Sequence, residues 1–169
     1  MVMTTQENKI LSHEEIQHKI KRIAYQIYET YVDEDEIVIA GIAASGLELA
    51  KKIDKCFKEI ADIKTIFCEV TIDKTNPLKP IITSLDKSEY QNKSVIVVDD
   101  VLNSGSTLIY AVRHFLDVPL KKLKTVVLVD RNHKKYPVKA DFKGISLSTS
   151  LQEHVDVVFE KGNDAVYLR

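Results

Sequence analysis

Two adjacent carboxylates, Asp99 and Asp100, close an apolar run that begins at Val95, and the small polar residues Asn103, Ser104, Gly105, Ser106 and Thr107 follow almost at once. Val95–Val98 has the unbroken apolar character of a buried parallel strand, and the residues from Leu108 to Leu116 read as a helix. In an open parallel sheet, ligands bind beyond the carboxyl ends of the strands, so the acidic pair stands where a ligand is met. Like charges side by side resist joint ionisation, and a cation or a set of hydroxyl groups relieves that cost. The small residues lead into a helix N-terminus, where free N–H groups, hydroxyl donors and the positive end of the helix dipole suit a phosphate. A ligand that satisfies both features needs neighbouring hydroxyls close to a phosphate, which describes a ribose 5-phosphate unit. The plainer alternative is a strand–loop–helix unit whose two Asp merely cap the helix. A receiver-type phosphoacceptor domain also uses a strand-end acidic pair, but at its first strand, whereas here the pair comes late.

A second strand-to-helix turn, Gly41–Gly46 (GIAASG), has a related outline. It is no nucleotide P-loop, because Leu47 and Glu48 stand where Lys and Ser/Thr would follow, and taken alone it reads equally as a tight helix start. Cys56 and Cys68 form no CxxC pair and have no His at metal-ligand spacing, so neither a zinc site nor a disulfide framework is expected.

These segments need a frame. Ser12 and Glu15 have the spacing of a capping box, and Ile16, Ile20, Ile23, Ala24, Ile27, Tyr28 and Tyr31 recur at helical period behind it. Ile37–Ala40 reads as the first core strand, Leu47–Ile60 as a helix and Thr65–Ile72 as a second strand. Asp73–Lys93, with Pro77 and Pro80, is too long and irregular for an ordinary connection and reads as a loop with a task. Thr125–Val129 is a further strand, while Val155–Phe159 and Ala165–Leu168 read as two short strands joined across Gly162 and Asn163. The alternation predicts an α/β fold with a mostly parallel sheet and an antiparallel addition.

With 169 residues the chain has room for one core, and 44% hydrophobic against 29% charged residues excludes disorder as a description of the whole. A formal charge of −1 gives no net pull toward nucleic acid or membrane, so any polyanion has to be held locally. No apolar stretch reaches membrane-spanning length. The N-terminal MVMTTQENKI has no charged segment followed by an apolar one, so no secretory leader is expected and the cytoplasm is the expected compartment.

Val95–Thr107, VIVVDDVLNSGST, resembles the thirteen-residue motif with which type I phosphoribosyltransferases bind 5-phosphoribosyl diphosphate (PRPP). The resemblance extends over most of the chain to the bifunctional pyrimidine regulator and uracil phosphoribosyltransferase family called PyrR. It rests further on KRIAYQIYE, IAGIAASGLELAKKI and VVLVDRNHKKYPVKADFKGISLSTS. It implies one domain over residues 1–169, a three-layer α/β phosphoribosyltransferase-like fold with a mostly parallel central sheet and flanking helices. A flexible lid is implied at about 73–93 and a small hood at about 131–150. The implied reaction joins a nucleobase, uracil foremost, to C1 of PRPP with release of pyrophosphate, as in pyrimidine salvage, using Mg2+ with PRPP and forming a nucleoside monophosphate.

Carried onto this sequence, the resemblance makes Asp99 and Asp100 the catalytic pair that holds the ribose hydroxyls, directly or through hydrated metal. Asn103 to Thr107 become the 5-phosphate pocket, and Ala43, Ala44, Ser45 and Gly46 the pyrophosphate loop. Asp130, Arg131 and His133 are placed at the base and hood, with Val129 and Phe142 as apolar contacts or core. The family usually has a Lys and an Arg in the pyrophosphate loop where this chain has Ala43, Ala44 and Ser45. Backbone N–H groups remain there, and Lys74 and Lys79 of the lid can supply cations on closure; the same lysines read as solvated loop charge.

An RNA-binding regulator is the second reading, carried by Lys21, Arg22 and His133. It is not favoured, because Thr30, Ala44 and Ile145 stand where basic or hydrogen-bonding residues are expected. A PRPP- or nucleotide-binding protein with little turnover is the third. A homo-oligomer, dimer or tetramer, is implied by the resemblance, and Tyr25, Tyr28 and Tyr31 on the first helix read as interface or as core.

Overall fold

The structure, a computed structural model, describes residues 8–150 and 152–169; most of the segment examined for a leader, residues 1–7, lies outside them. The chain runs β1 (Asn8–Leu11), α1 (His13–Thr30), β2 (Glu36–Ile42), α2 (Ser45–Ile60), β3 (Lys64–Thr71), β4 (Ile82–Thr83), α3 (Lys87–Tyr90) and β5 (Ser94–Leu102). It continues through α4 (Ser106–Phe115), β6 (Lys122–Asp130), β7 (Phe142–Ser146), β8 (Val155–Val158) and β9 (Ala165–Leu168).

Six strands form a central sheet in the order β4-β3-β2-β5-β6-β7. All its pairings are parallel except β3 with β4. Successive side chains of a strand point to opposite faces, and the unbroken apolar strands therefore feed two cores. Ile37, Ile39, Ile96, Val98, Val126 and Leu128 pack on one side with α1 and α2. Val38, Ala40, Val95, Val97 and Val127 pack on the other with Phe115 of α4 and Tyr90 of α3. This is the three-layer, mostly parallel α/β architecture.

Ser12 opens α1 with both bonds of the capping box: Glu15 N–H donates to Ser12 Oγ (3.3 Å), and Ser12 N–H to Glu15 Oε1 (3.2 Å). The three tyrosines of α1 part company. Tyr31 is fully buried, Tyr28 packs against the core, and Tyr25 is exposed.

Three features add to the expected frame. A second, antiparallel sheet of order β1-β9-β8 joins the two ends of the chain, and its first strand, Asn8–Leu11, has too few apolar residues to be read in the sequence. The second half of the expected hood, 131–150, is framework: Phe142–Ser146 pairs with β6 along the central sheet. Asp141 sets that register by accepting the Thr125 N–H (2.9 Å). The expected lid at 73–93 is ordered over its latter part, where β4 pairs with β3, and Tyr90 of α3 is buried edge-on against Phe115 with ring centroids 5.0 Å apart. Among the described residues no helix is long and apolar enough to cross a membrane.

Candidate active site

β5 runs on through the acidic pair to Leu102, so Asp99 and Asp100 lie in its last turns of pleat rather than beyond it. Asp99 is buried, and Asp100 half-buried. Each carboxylate accepts the next backbone N–H: Asp100 N–H to Asp99 Oδ1 (2.9 Å) and Val101 N–H to Asp100 Oδ1 (2.8 Å). Lys74 Nζ lies 3.3 Å from Asp99 Oδ1 and 4.0 Å from Asp100 Oδ1. Burial and then the neighbouring Asp100 charge push the Asp99 carboxyl up to about 7, against the pull of Lys74.

The residues after the pair turn sharply into α4. Gly105 has φ +89°, a conformation that residues with a Cβ rarely adopt, and a Cβ there would stand 2.6 Å from Val138 Cγ1. The turn is held from both sides: Ser106 N–H donates to Ser104 Oγ (3.2 Å), and Ser104 O accepts the N–H of Lys135 (2.7 Å) and of Tyr136 (3.2 Å). Gly105 also offers no side chain to the first helical turn, and with the Ser106 N–H held by Ser104 Oγ the N–H groups of Thr107 and Leu108 remain for an anion.

One cavity of about 210 Å³ gathers these parts. Asp99, Asp100, the run Asn103–Thr107, Ser45, Lys74 and Val127 line it, together with His154 and Val155–Val157 of β8. The cavity is predominantly polar.

The Gly41–Gly46 turn reaches the same place. Ala43 N–H donates to Val70 O (2.9 Å), the Ala43–Ala44 peptide is cis, and α2 starts at Ser45 without a side-chain cap. A Cβ on Gly46 would stand 2.9 Å from Asp99 Cα and 3.0 Å from Asp99 Oδ1, so only glycine lets α2 begin against the acidic pair. Of the four loop residues, Ser45 lines the cavity and Ala44 is exposed.

Lys74 and Lys79 have different places. Asp73 Oδ1 accepts the N–H groups of Thr75 (2.9 Å) and Asn76 (3.1 Å) and the Thr75 hydroxyl (2.7 Å), while Lys79 Nζ pairs with Asp73 Oδ2 (3.1 Å). These bonds hold the Asp73 carboxyl well below its ordinary range, the Thr75 hydroxyl contributing most. Lys79 therefore fastens the turn from which Lys74 reaches the acidic pair.

Asp130, Arg131 and His133, expected at the base and hood, are not among the residues that line this cavity. Arg131 is buried and donates to Asn103 Oδ1 (2.9 Å), Thr149 Oγ1 (3.1 Å), Ser150 O (3.3 Å) and Glu153 O (2.6 Å). It ties the end of β6 to the turn before α4 and to the chain leading into β8. Asp130 is buried beside Lys143 (3.7 Å) and Lys134 (3.9 Å). Val129 and Phe142 pack in the α1/α2 core, and Val127, which faces the opposite way, meets the cavity instead.

β8, expected from the sequence only as a strand, forms a further wall of the cavity. His154 and Arg169 exchange both backbone bonds, 2.7 and 2.8 Å. With β8 and β9 in unbroken register, alternate residues turn toward the partner, so Val155 and Val157 direct their N–H and C=O to the free edge of β8. Both residues line the cavity. A planar ring with alternating acceptors and donors fits such an edge.

Two carboxylates are too few to hold a resident divalent cation, and no cluster of three or more His, Cys, Asp or Glu suited to a metal occurs among the described residues. They do fit a Mg2+ that brings most of its oxygen ligands with it, and the Lys74 ammonium already stands against both.

Comparison with known proteins agrees with this geometry. The profile of the phosphoribosyl transferase domain matches residues 6–159. The chain is 34% identical over 159 residues to the "Bifunctional protein PyrR" of Haemophilus ducreyi, covering 89% of each chain. It is 32% identical over 166 residues to the protein of that name from Haemophilus influenzae, covering 92% of this chain and 93% of the relative. Among solved structures, a hypoxanthine-guanine phosphoribosyltransferase of Bacillus anthracis superposes with TM-score 0.73 at 25% identity, over 88% of this chain and 84% of that one. The hypoxanthine phosphoribosyltransferase of Trypanosoma cruzi superposes with TM-score 0.76 at 18% identity, over 94% and 95%, a likeness of fold.

Proposed function

The chain belongs to the phosphoribosyltransferase family, and on that premise we propose that it transfers the phosphoribosyl group of PRPP to uracil, releasing pyrophosphate and forming a nucleoside monophosphate. One observation carries the reading: the acidic pair and the Ser104–Thr107 turn line the same cavity.

Asp99 and Asp100 accept hydrogen bonds from the ribose 2- and 3-hydroxyls, and Ser104, Gly105, Ser106 and Thr107 hold the 5-phosphate on N–H and hydroxyl donors at the start of α4. Holding both ends of the sugar fixes C1 against the base and removes the entropic cost of their encounter. The transition state has oxocarbenium character, and the two carboxylates beneath the ring favour the positive charge that develops there. Asp99 and Asp100 would hold a Mg2+ directly or through water, and its charge would offset that of the departing pyrophosphate.

Uracil suits the free edge of β8, because its two carbonyls flanking one N–H complement the donor, acceptor, donor order of Val155 N–H, Val155 C=O and Val157 N–H. Relatives named PyrR at 32–34% identity, the family whose resemblance implies uracil, weigh more than the purine enzymes at 18–25%. The RNA-binding reading loses one support, since Arg22 donates to Lys143 O (3.1 Å) and Gly144 O (2.6 Å) and so docks α1 on β7.

Incubation with PRPP, Mg2+ and radiolabelled uracil, hypoxanthine or guanine tests the proposal. Labelled uridine monophosphate is the expected product. Product with a purine alone overturns the base assignment, and no product with any base leaves a PRPP- or nucleotide-binding protein with little turnover.

A further inference from the structure

A diphosphate entering this cavity meets an electrostatic problem. Two carboxylates form its floor, and the turn at Ala43–Gly46 contributes no charged side chain. Among the described residues lining the cavity, Lys74 is the one lysine or arginine. Its ammonium touches Asp99 Oδ1, the same oxygen that a Cβ on Gly46 would approach to 3.0 Å, so the lysine stands beside the backbone of the uncharged turn. It arrives there from a different element, the segment after β3, whose turn is fastened by Asp73, Thr75, Asn76 and Lys79.

Resting on the phosphoribosyl reading above, we propose that Lys74 is the pyrophosphate-binding cation of this protein, taking over from the segment after β3 the charge that the turn before α2 lacks. In the structure Lys74 neutralises the acidic pair. When a metal-bound diphosphate arrives with its own cation for Asp99 and Asp100, the ammonium is released to the diphosphate oxygens. The side chain is 44% exposed, which gives the flexible stem room to turn without rearranging the core. Lys74 is thus both the internal counter-ion of the pair and the contact that discriminates PRPP from the monophosphate product.

Calorimetric titration with Mg2+ present, using PRPP, inorganic pyrophosphate and uridine monophosphate as probes, tests this. Lys74→Met is expected to weaken PRPP and pyrophosphate about ten- to hundredfold and to leave the monophosphate within about twofold, the loss of one charge-assisted contact to a diphosphate. Lys74→Arg is expected to recover most of that loss. Ala44→Lys in the Lys74→Met background is expected to recover part of it, because the exposed Ala44 position returns a cation to the turn. Circular dichroism melting confirms that each variant is folded. Equal weakening of all three ligands, undiminished pyrophosphate binding, or a folded Ala44→Lys double variant that recovers nothing overturns the assignment. Wild-type protein that binds neither PRPP nor the monophosphate overturns the phosphoribosyl reading itself, whereas wild-type that binds both beside an indiscriminate Lys74→Met variant removes only the role of Lys74.

Discussion

Two turns of this molecule have the same topology and opposite chemistry. The turn after β2 and the turn after β5 both leave a buried parallel strand at its carboxyl end and both enter a helix whose cap residue makes no side-chain bond. The β5 turn concentrates two carboxylates and four hydroxyl or amide side chains within Asp99–Thr107, whereas the β2 turn has Ser45 alone, between Ala44 and Gly46. Each depends on one glycine for a different reason. Gly105 supplies a positive φ, and Gly46 supplies nearness, letting α2 begin against Asp99. The frame that delivers a loop to a ligand is therefore separable from the side chains that bind it, and a charge missing from one loop can be supplied by another that reaches the same cavity.

Substitutions can break this contrast, beginning with the acidic pair. Replacing Asp99 and Asp100 together by Asn is expected to lower kcat/KM for PRPP by about a thousandfold, since the pair both positions the sugar and stabilises its developing charge; steady-state assay reads this directly. Gly46→Ala comes next. Its Cβ meets backbone atoms, Asp99 Cα and Val98 O, at 2.9 Å, and the overpacking should cost about 2 kcal/mol and lower Tm by roughly 4–8 °C. Ser104→Ala removes the acceptor of the Ser106 N–H and one phosphate donor, and should weaken nucleoside monophosphate binding about tenfold by calorimetry with little change in Tm.

The smallest effect separates stability from activity. The Asp99 carboxyl stands above its unfolded value, at about 7, so between about pH 4 and pH 7 the native state holds a proton that the unfolded chain has released. Its contribution to stability therefore falls as pH rises through that window and is lowest above pH 7. Asp99→Asn alone should raise Tm by a few degrees at pH 8 and progressively less toward pH 4, while activity drops. A Tm difference independent of pH would show that burial of the charge is not what the substitution relieves.

Much of this was legible in advance because the signals are local. The Ser12–Glu15 capping box, the apolar runs of β2, β5 and β6 and the string from Val95 to Thr107 each announce themselves within thirteen residues or fewer. Phe142–Ser146 did not, for it is a short edge strand interrupted by Gly144 and stabilised by Asp141 bonding to Thr125 on its neighbour. The surroundings of Arg131 were hidden for a related reason. A polar residue after a core strand suggests a ligand, and nothing nearby in sequence reveals that Asn103, Thr149, Ser150 and Glu153 will converge on its guanidinium. His133 stood close in sequence to the site and does not line its cavity.

By itself the sequence determined the α/β alternation, the place of the acidic pair and the small-residue turn beside it, since backbone periodicity and turn chemistry act over a few residues. Tertiary structure alone decided which of two loop lysines reaches the carboxylates, which strand walls the cavity and that the two chain ends share a sheet. Those are contacts between groups as far as 160 residues apart, Asn8 and Leu168 among them, and their energies depend on packing and on burial of charge, which only the folded chain creates.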